Sequence, residues 1–359
     1  MNPAGNRRGF LFTLFNTLAM KKKIIPGTLL VLLVTACFLA WQVFGPTVSS
    51  PEGKYFYIKT GADYATVKSS LVDQKIISGT FFFDLMAKQI KYPGKVKAGR
   101  YQITDGMSLY RLLRMLRSGN QSPVNFVITK LRTKEDLSQK VAANFECDSA
   151  AFFQLLNNPE TFRKYHADSN TIMTAVIPNT YSILWNTAPE KILKKLFDEK
   201  EKFWNEDRLA KARALNLSPD QVYTMASIVE EETNAAGDKG KIASVYINRL
   251  ETGMKLQADP TVKFAMKDFG LKRIMEKHLF YNSPFNTYQN PGLPPGPICT
   301  PSIKTIDAVL NAPQTNYIYF VAKPDFNGLS NFASTYAEHL VYAKAYQQAL
   351  DSLIKAKNK

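Results

Sequence analysis

Cysteine and histidine are scarce in this sequence, with three of each among 359 residues. The cysteines (Cys37, Cys147 and Cys299) lie far apart, and the histidines form no cluster with them. Zinc sites and disulfide frameworks need such residues at short, regular spacings. The sequence therefore indicates no metal, no organic cofactor and no disulfide framework.

Acidic residues are the minority charge, 30 against 46 basic residues, which gives a net charge of +16. Such an excess favours an anionic partner, which could be nucleic acid, a membrane surface or an acidic polymer. Residues 1–23 contain no acid at all, although they hold Arg7, Arg8 and three consecutive lysines.

Long uncharged runs are also rare, and the one that stands out is 24–44, with 21 residues. About 20 apolar residues in a helix span the hydrocarbon core of a bilayer. Because basic flanks stay in the cytoplasm, residues 1–23 are predicted to form a cytoplasmic tail and everything after Phe44 to be exported. The predicted location is therefore single-pass in the inner membrane, with the folded part in the periplasm or outside. Export argues against nucleic acid as the partner.

A lipoprotein signal is the alternative interpretation of the same run. Val34-Thr35-Ala36 precede Cys37 in lipobox-like order. Against this, the apolar run continues after the cysteine as "FLAWQVF", where a lipoprotein normally turns polar. The uncleaved anchor is the favoured interpretation.

The remaining chain alternates short strand patterns with amphipathic helix patterns, which predicts an α+β fold. Residues 45–52, "GPTVSSPE", are expected to be a tether. Residues 53–130 are predicted to form a small basic α+β module, in which Gly119 is placed to cap the third helix. Residues 131–355 are predicted to form a larger mixed α+β domain. Arginines of the small module could bind an anionic polymer or could simply be the solvated face of a helix.

Three consecutive acids lie on a predicted helix that begins at Ser218, with Pro219 and Gln221 completing a capping box. A spacing of 100° per residue places Val222, Met225, Ala226, Val229 and Thr233 on one buried stripe. Glu231 then points away from that stripe and is expected to be solvated, whereas Glu230 and Glu232 flank it.

The two flanking acids differ in their neighbours on the helix. Glu230 lies over Ala226 and Ser227, whereas Glu232 lies over Ile228 and Val229. Burial against branched apolar side chains raises the pKa of a carboxyl group, and a protonated carboxyl group is what a general acid needs. Glu232 is therefore the preferred general acid and Glu230 the reserve. An ordinary amphipathic border remains the alternative.

Rigid polar loops follow this helix and its successor. Asp259-Pro260 resembles a helix start, and "SPFNTYQNPGLPPGPICTPS" combines six prolines with Asn286 and Tyr288. Such loops suit recognition of carbohydrate hydroxyl groups, although they also form plain turns.

Together, "SIVEEET", "VYINRLETGMKLQADPTV", "FNTY" and "GLPPGPICTPS" resemble the successive motifs of the endolytic murein transglycosylases, the YceG-like family. "IPNTYSI" resembles another family motif, with Asn179 where many members have Asp. The resemblance covers roughly residues 53–355 and implies that residues 53–130 are a LysM-like module and residues 131–355 the YceG-like catalytic domain.

The resemblance further implies cleavage of peptidoglycan glycan strands between N-acetylmuramic acid and N-acetylglucosamine without water. It assigns the catalytic acid to Glu232, which would first protonate the glycosidic oxygen and then accept the proton of the muramic C6 hydroxyl group, giving 1,6-anhydro ends. Such an enzyme is expected to terminate nascent strands, with peptidoglycan synthases as possible partners. The predicted substrate-orienting and supporting residues are Glu230, Asn248, Gln257, Asp259, Asn286 and Tyr288; for Asp259, helix capping explains the residue equally well.

Two rival functions remain open at this point. A hydrolase with two carboxylates would use Glu230 or Asp259 as its second acid. A scaffold that only binds the cell wall would keep the glutamates for structure.

Overall fold

The computed structural model describes residues 28–357, and these residues have the mixed α+β fold that the sequence predicts. The chain forms two units. The first contains the described residues up to Pro123 together with Leu184–Asn186, and the second contains Val124–Ile183 and the chain from Thr187 onward. The predicted cytoplasmic tail, residues 1–23, lies outside the described residues.

Residues 28–44 form helix α1, whose large apolar side chains are exposed. The predicted anchor, 24–44, starts four residues before the described range. Among residues 28–357, no helix combines the length and hydropathy needed to cross a bilayer.

The first unit is built on an antiparallel pair of strands, β1 and β2, in which Tyr55 faces Gln102 and Ile58 faces Gly99. Two helices connect these strands, and a third follows. Its last turn ends at Gly119, which has a φ of 72° and caps the helix as predicted. The elements are β1 (Tyr55–Ile58), α2 (Tyr64–Asp73), α3 (Phe81–Gln89), β2 (Gly99–Gln102) and α4 (Leu109–Ser118).

The predicted tether, residues 45–52, is packed onto the first unit. Val48 is 2% exposed, and its backbone exchanges hydrogen bonds with Met107 and Gly106. An apolar side chain in a turn-rich segment can be buried once a neighbouring backbone offers hydrogen-bond partners for the N–H and C=O groups of that segment. Residues 45–52 therefore pack onto the first unit, and their role as a tether stays a prediction.

The boundary between the units falls after Pro123, earlier than the predicted residue 130. Strand β3 pairs with β4 in the second unit, with Val124 opposite Ile183 and Val127 opposite Thr180. Pairing across more than fifty residues of chain leaves no local signal, so the sequence could not show that this strand belongs to the second unit.

The second unit is mostly helical around α10, which packs against α11, α12 and α14. Its small sheets are β3 with β4 and β5 with β6. In chain order its elements are β3 (Val124–Val127), α5 (Lys134–Asn144), α6 (Ser149–Leu155), α7 (Pro159–Tyr165), β4 (Thr180–Ile183), α8 (Pro189–Phe203), α9 (Glu206–Ala214), α10 (Pro219–Glu232), α11 (Ala236–Glu251), α12 (Asp259–Met266), α13 (Glu276–Leu279), α14 (Ile303–Leu310), β5 (Tyr319–Ala322), β6 (Ser330–Ala333) and α15 (Tyr336–Lys357).

Candidate active site

Helix α10 begins with the predicted capping box. Gln221 donates its backbone N–H to Ser218 Oγ, and Ser218 donates its backbone N–H to Gln221 Oε1. The helix is buried on every side from Val222 to Val229, not along a single stripe. Its last residues, Glu230 to Glu232, therefore all emerge among neighbouring elements, at a helix end whose partial negative charge disfavours carboxylates.

Glu230 is held by three donors from the neighbouring helices. Lys239 Nζ lies 2.8 Å and Ser302 Oγ 3.1 Å from its carboxylate, and Thr305 also donates to it. Burial alone would raise the pKa of this group, but these hydrogen bonds and the charge of Lys239 lower it below its usual value. Glu230 is thus favoured as a carboxylate, and its hydrogen bonds join α10 to α11 and α14.

Glu231 is not solvated, and the helical-wheel prediction is wrong on this point. Lys130 Nζ lies 3.1 Å and Arg132 Nη2 3.0 Å from its carboxylate oxygens. Burial acts to raise its pKa, but the two cations outweigh it and the pKa is lowered. The wheel failed because α10 is central, so the face opposite the predicted stripe meets the loop after β3.

Glu232 has a different environment from both neighbours. Tyr246 of α11 donates a hydrogen bond of 2.7 Å to Glu232 Oε1. Burial, with a smaller contribution from the negative charge of Asp259, raises the pKa of Glu232 to about 7, against the opposing effects of Tyr246 and the nearby cations. Its side chain is surrounded by protein atoms yet keeps some exposure to solvent. Such a group is partly protonated at neutral pH and within reach of a substrate, as a general acid requires.

Asp259 is the first residue of α12 and does not cap it. The N-cap position is Ala258, and no side chain caps this helix. Instead, Tyr288 donates a hydrogen bond of 2.7 Å to Asp259 Oδ1. Capping therefore no longer explains Asp259, and its charge acts on Glu232.

A buried threonine network fixes the loop that carries Tyr288 against the start of α12. Thr287 Oγ1 accepts from Ala258 N at 3.0 Å and lies 2.9 Å from Thr261 Oγ1. Gln257 precedes this contact with a φ of 51° and an exposed side chain, and its backbone N–H donates to Thr287. The network explains how two segments distant in sequence present Asp259 and Tyr288 together.

The two predicted asparagines support backbone rather than line a cleft. Asn286 is fully buried; its amide donates to the carbonyl groups of Leu279 and Tyr281, and its carbonyl accepts from Tyr288 N. Asn248 donates to two carbonyl groups of the segment before β5, Thr315 and Tyr317, each at 2.8 Å. Both contribute to the site by holding the loops around it.

Tyr246, Arg249 and Lys263 were not predicted as site residues. A signal for Tyr246 exists, because a tyrosine on an inward-facing stripe needs a partner for its hydroxyl group. Arg249 is 7% exposed, donates to the carbonyl groups of Ile318 and Leu256, and its charge acts on Glu232. Arg249 lies about one helical turn after Tyr246, and its hydrogen bonds to backbone carbonyl groups gave no signal in the sequence.

The described part of the chain, residues 28–357, has no group of three or more histidine, cysteine or carboxylate side chains placed to hold a metal ion.

Known proteins resemble this chain in sequence and in structure. The YceG-like family matches residues 56–345. The endolytic murein transglycosylase of Bacillus subtilis (strain 168) is 31% identical over 307 residues, covering 79% of this chain and 81% of that protein. The endolytic murein transglycosylase of Streptococcus pneumoniae serotype 2 is 28% identical over 295 residues, and the match spans 74% of this chain but only 53% of that longer protein.

A solved structure is also similar. The 2.6 Å crystal structure of a YceG-like protein from Listeria monocytogenes aligns with a TM-score of 0.52 at 26% identity, covering 79% of this chain and 97% of that one. The family match spans most of the sequence, including all the motifs around the three glutamates. The chain belongs to the YceG-like family.

Proposed function

We propose that this protein is an endolytic peptidoglycan lytic transglycosylase that cleaves glycan strands internally, between N-acetylmuramic acid and N-acetylglucosamine. Two relatives with this activity in their names, 28% and 31% identical, support the proposal. The observation that carries it is the difference in pKa among three adjacent acids. Ion pairs lower the pKa of Glu230 and of Glu231, whereas burial raises that of Glu232 to about 7.

In the first step, Glu232 donates its proton to the glycosidic oxygen as the bond from that oxygen to muramic C1 breaks. The N-acetylglucosamine side leaves with a hydroxyl group. Glu232 is then a carboxylate, stabilised by the Tyr246 hydrogen bond and by the charges of Lys263 and Arg249.

In the second step, this carboxylate takes the proton of the muramic C6 hydroxyl group. At the same time, the C6 oxygen forms a bond to C1. A 1,6-anhydro end forms, the proton on Glu232 is restored, and no water is consumed. A pKa near 7 suits both halves, since the same group must lose and regain a proton with comparable ease.

Asp259 gives a specific reason to keep the hydrolase as the second candidate. Its carboxylate acts electrostatically on Glu232 and is exposed, so it could position a water molecule in a reaction with two carboxylates. We favour a tuning role, because Tyr288 already occupies Asp259 Oδ1 and a substrate hydroxyl group makes a second acid unnecessary.

Digestion of purified glycan strands in water enriched in ¹⁸O separates the functions. A lytic transglycosylase yields 1,6-anhydro ends without ¹⁸O, and a hydrolase yields reducing ends that carry it. A scaffold that only binds the wall yields neither. Mass spectrometry of the new ends reads all three outcomes.

We further propose that the protein is exported and retained on the inner membrane by residues 24–44. The uncharged run and its basic flank support this location. Release into the periplasmic fraction without detergent would contradict it, whereas lipid labelling that is lost in Cys37→Ala would favour the lipoprotein alternative. In this location the enzyme would terminate nascent strands beside peptidoglycan synthases, which affinity capture from membranes would test.

For the first unit we propose a LysM-like role in holding the wall. Its two strands enclose two helices and it is rich in basic residues, including Arg111 and Arg114 of α4. Because exposed charges are screened beyond about 10 Å at 0.1 M salt, co-sedimentation with peptidoglycan should weaken as salt rises. Co-sedimentation that stays the same when the first unit is removed, at every salt concentration, would contradict the role.

A further inference from the structure

A small cavity of about 220 Å³ lies beside the proposed general acid, lined by Arg132, Glu231, Pro260, Lys263, Phe264 and Phe269. Glu231 and Pro260 are the chain neighbours of Glu232 and Asp259, and the charge of Lys263 acts on Glu232. Lys263 thus both lines the cavity and acts electrostatically on Glu232, which places the cavity within charge–charge range of the proposed general acid. It is smaller than pockets of about 300 Å³ or more that enclose whole small ligands, so a side branch of a substrate fits better than a sugar ring.

The charges in and around this cavity do not cancel. Glu231 is one carboxylate against Lys130 and Arg132, with which it pairs at 3.1 and 3.0 Å. Lys263 adds a third cation, and within residues 28–357 its ammonium group has neither a hydrogen bond nor an ion pair. Of the side chains that line the cavity itself, Arg132 and Lys263 are cations and Glu231 is the one carboxylate, so the lining carries one net positive charge.

Arg132 also has donors left over. It binds both oxygens of Glu231 through Nη2 alone, so among the described contacts its Nε and Nη1 hydrogens are not used. The guanidinium group lies 5.0 Å from the centre of the Phe269 ring, which fixes its plane without consuming a donor. A planar cation with free donors is suited to a carboxylate.

The loop that carries Arg132 is rigid. Leu131 donates to Thr300 Oγ1 at 2.8 Å, and Thr300 N donates to the Leu131 carbonyl group at 2.7 Å. Arg132 N itself donates to Asp136, which caps α5. The cation is therefore positioned before any ligand arrives, which lowers the entropic cost of binding.

We propose that this cavity is a carboxylate subsite for the lactyl arm of the muramic residue, and that Lys263 and Arg132 determine specificity for it. The inference rests on the proposed function. The arm ends either in a free lactyl carboxylate, when the strand carries no peptide, or in a stem peptide with carboxylates of its own. Either form offers an anionic branch next to the cleaved bond, and the subsite would anchor the strand in register with Glu232.

The test compares three substrates: strands with stem peptides, strands stripped of peptide by an amidase, and stripped strands whose lactyl carboxylates have been converted to amides. KM and kcat are measured for the full-length protein at about pH 5, well below the pKa of about 7 of Glu232, so that changes in its titration do not interfere. The wild type is expected to bind the amidated strands about tenfold more weakly, or worse, than at least one carboxylate form. Which carboxylate form it prefers identifies the source of the anion.

The decisive variants are Lys263→Gln, Lys263→Arg and the matched charge-loss control Lys304→Gln, whose side chain is exposed on α14. Lys263→Gln should raise KM about tenfold on the preferred carboxylate strand but not on the amidated strand. Its kcat should fall on both strands alike, because the charge of Lys263 also stabilises the Glu232 carboxylate. Lys263→Arg should bring KM on the carboxylate strand most of the way back to the wild-type value, and Lys304→Gln should have the same KM as the wild type.

Equal changes in KM on charged and amidated strands in Lys263→Gln would overturn the subsite, as would equal KM values of the wild type for all three substrates. A wild type that cleaves no strand at all would instead overturn the proposed function itself. Thermal unfolding of each variant shows whether it is folded under the assay conditions.

Discussion

Tyr246 donates a hydrogen bond of 2.7 Å to Glu232 Oε1, which joins the end of α10 to the middle of α11. The bond favours the carboxylate form of Glu232, whereas burial favours the protonated form. The pKa of about 7 results from this opposition. A tyrosine that the sequence presents as a core residue thus also sets the chemistry of the site.

Removing the hydroxyl group should separate these effects. In Tyr246→Phe the opposing hydrogen bond is lost, so the pKa of Glu232 rises and the alkaline limb of the pH–rate profile moves to higher pH. The maximal rate should fall about tenfold or more, because the carboxylate formed in the first step loses a donor to a charged group. An unchanged alkaline limb would show that Tyr246 does not act on the titrating group.

Asp259 should act in the opposite direction. Its negative charge helps to raise the pKa of Glu232, so Asp259→Asn should move the alkaline limb to lower pH. Tyr288→Phe is the matched control, because it removes the hydrogen bond to Asp259 and keeps the charge. Abolished cleavage in Asp259→Asn at every pH would favour a second carboxylate in catalysis.

The raised pKa of Glu232 also makes a prediction about stability. The group binds its proton more tightly in the folded chain, at about 7, than at its ordinary value of 4.5, so the free energy of unfolding falls as pH rises from 4.5 through 7. About 1.4 kcal/mol per pKa unit implies a loss of roughly 3 kcal/mol. Glu232→Gln cannot ionise and should therefore be more stable than the wild type at pH 8 and closer to it at pH 4.5, by denaturant unfolding.

Substitution of Glu231 should lower the free energy of unfolding, although the helix pattern alone, which placed this side chain in solvent, predicted little effect. Glu231→Gln leaves Lys130 and Arg132 without their carboxylate, and a loss of about 1–3 kcal/mol in unfolding free energy is expected. Glu230→Gln should cost at least as much, because its partner Lys239 is less exposed. Glu160→Gln, which breaks an exposed pair on α7, is the control and should stay within about 1 kcal/mol.

These residues also show what sequence can and cannot provide. Capping chemistry is local, so the start of α10 at Ser218 and the end of α4 at Gly119 were predictable and are confirmed. The raised pKa of Glu232 was expected for a local reason, the branched side chains one turn before it, whereas its catalytic role stays a prediction. The partners of Glu231 were not predictable, because Lys130 and Arg132 lie about a hundred residues away in the chain.

Asp259 and Asn286 also have partners that could not be predicted from the sequence. Asp-Pro at a helix start is a common capping pattern, and only the distant hydroxyl group of Tyr288 gives Asp259 another role. Asn286 has a polar side chain in a loop, which suggests exposure, yet the backbone of residues 279–281 surrounds its amide. In both cases the deciding partner comes from loop packing, which has no periodic signal in sequence.

Glu232 alone is proposed to perform both proton transfers, so the rate at which Glu232→Gln forms 1,6-anhydro ends on purified glycan strands decides its role. Gln keeps the size of the side chain and its contact with Tyr246, but it can neither donate nor regain a proton as a carboxyl group does. We expect the rate to fall by at least about 10²–10⁴-fold while the variant remains folded. Formation of anhydro ends at close to the wild-type rate by Glu232→Gln would contradict the account.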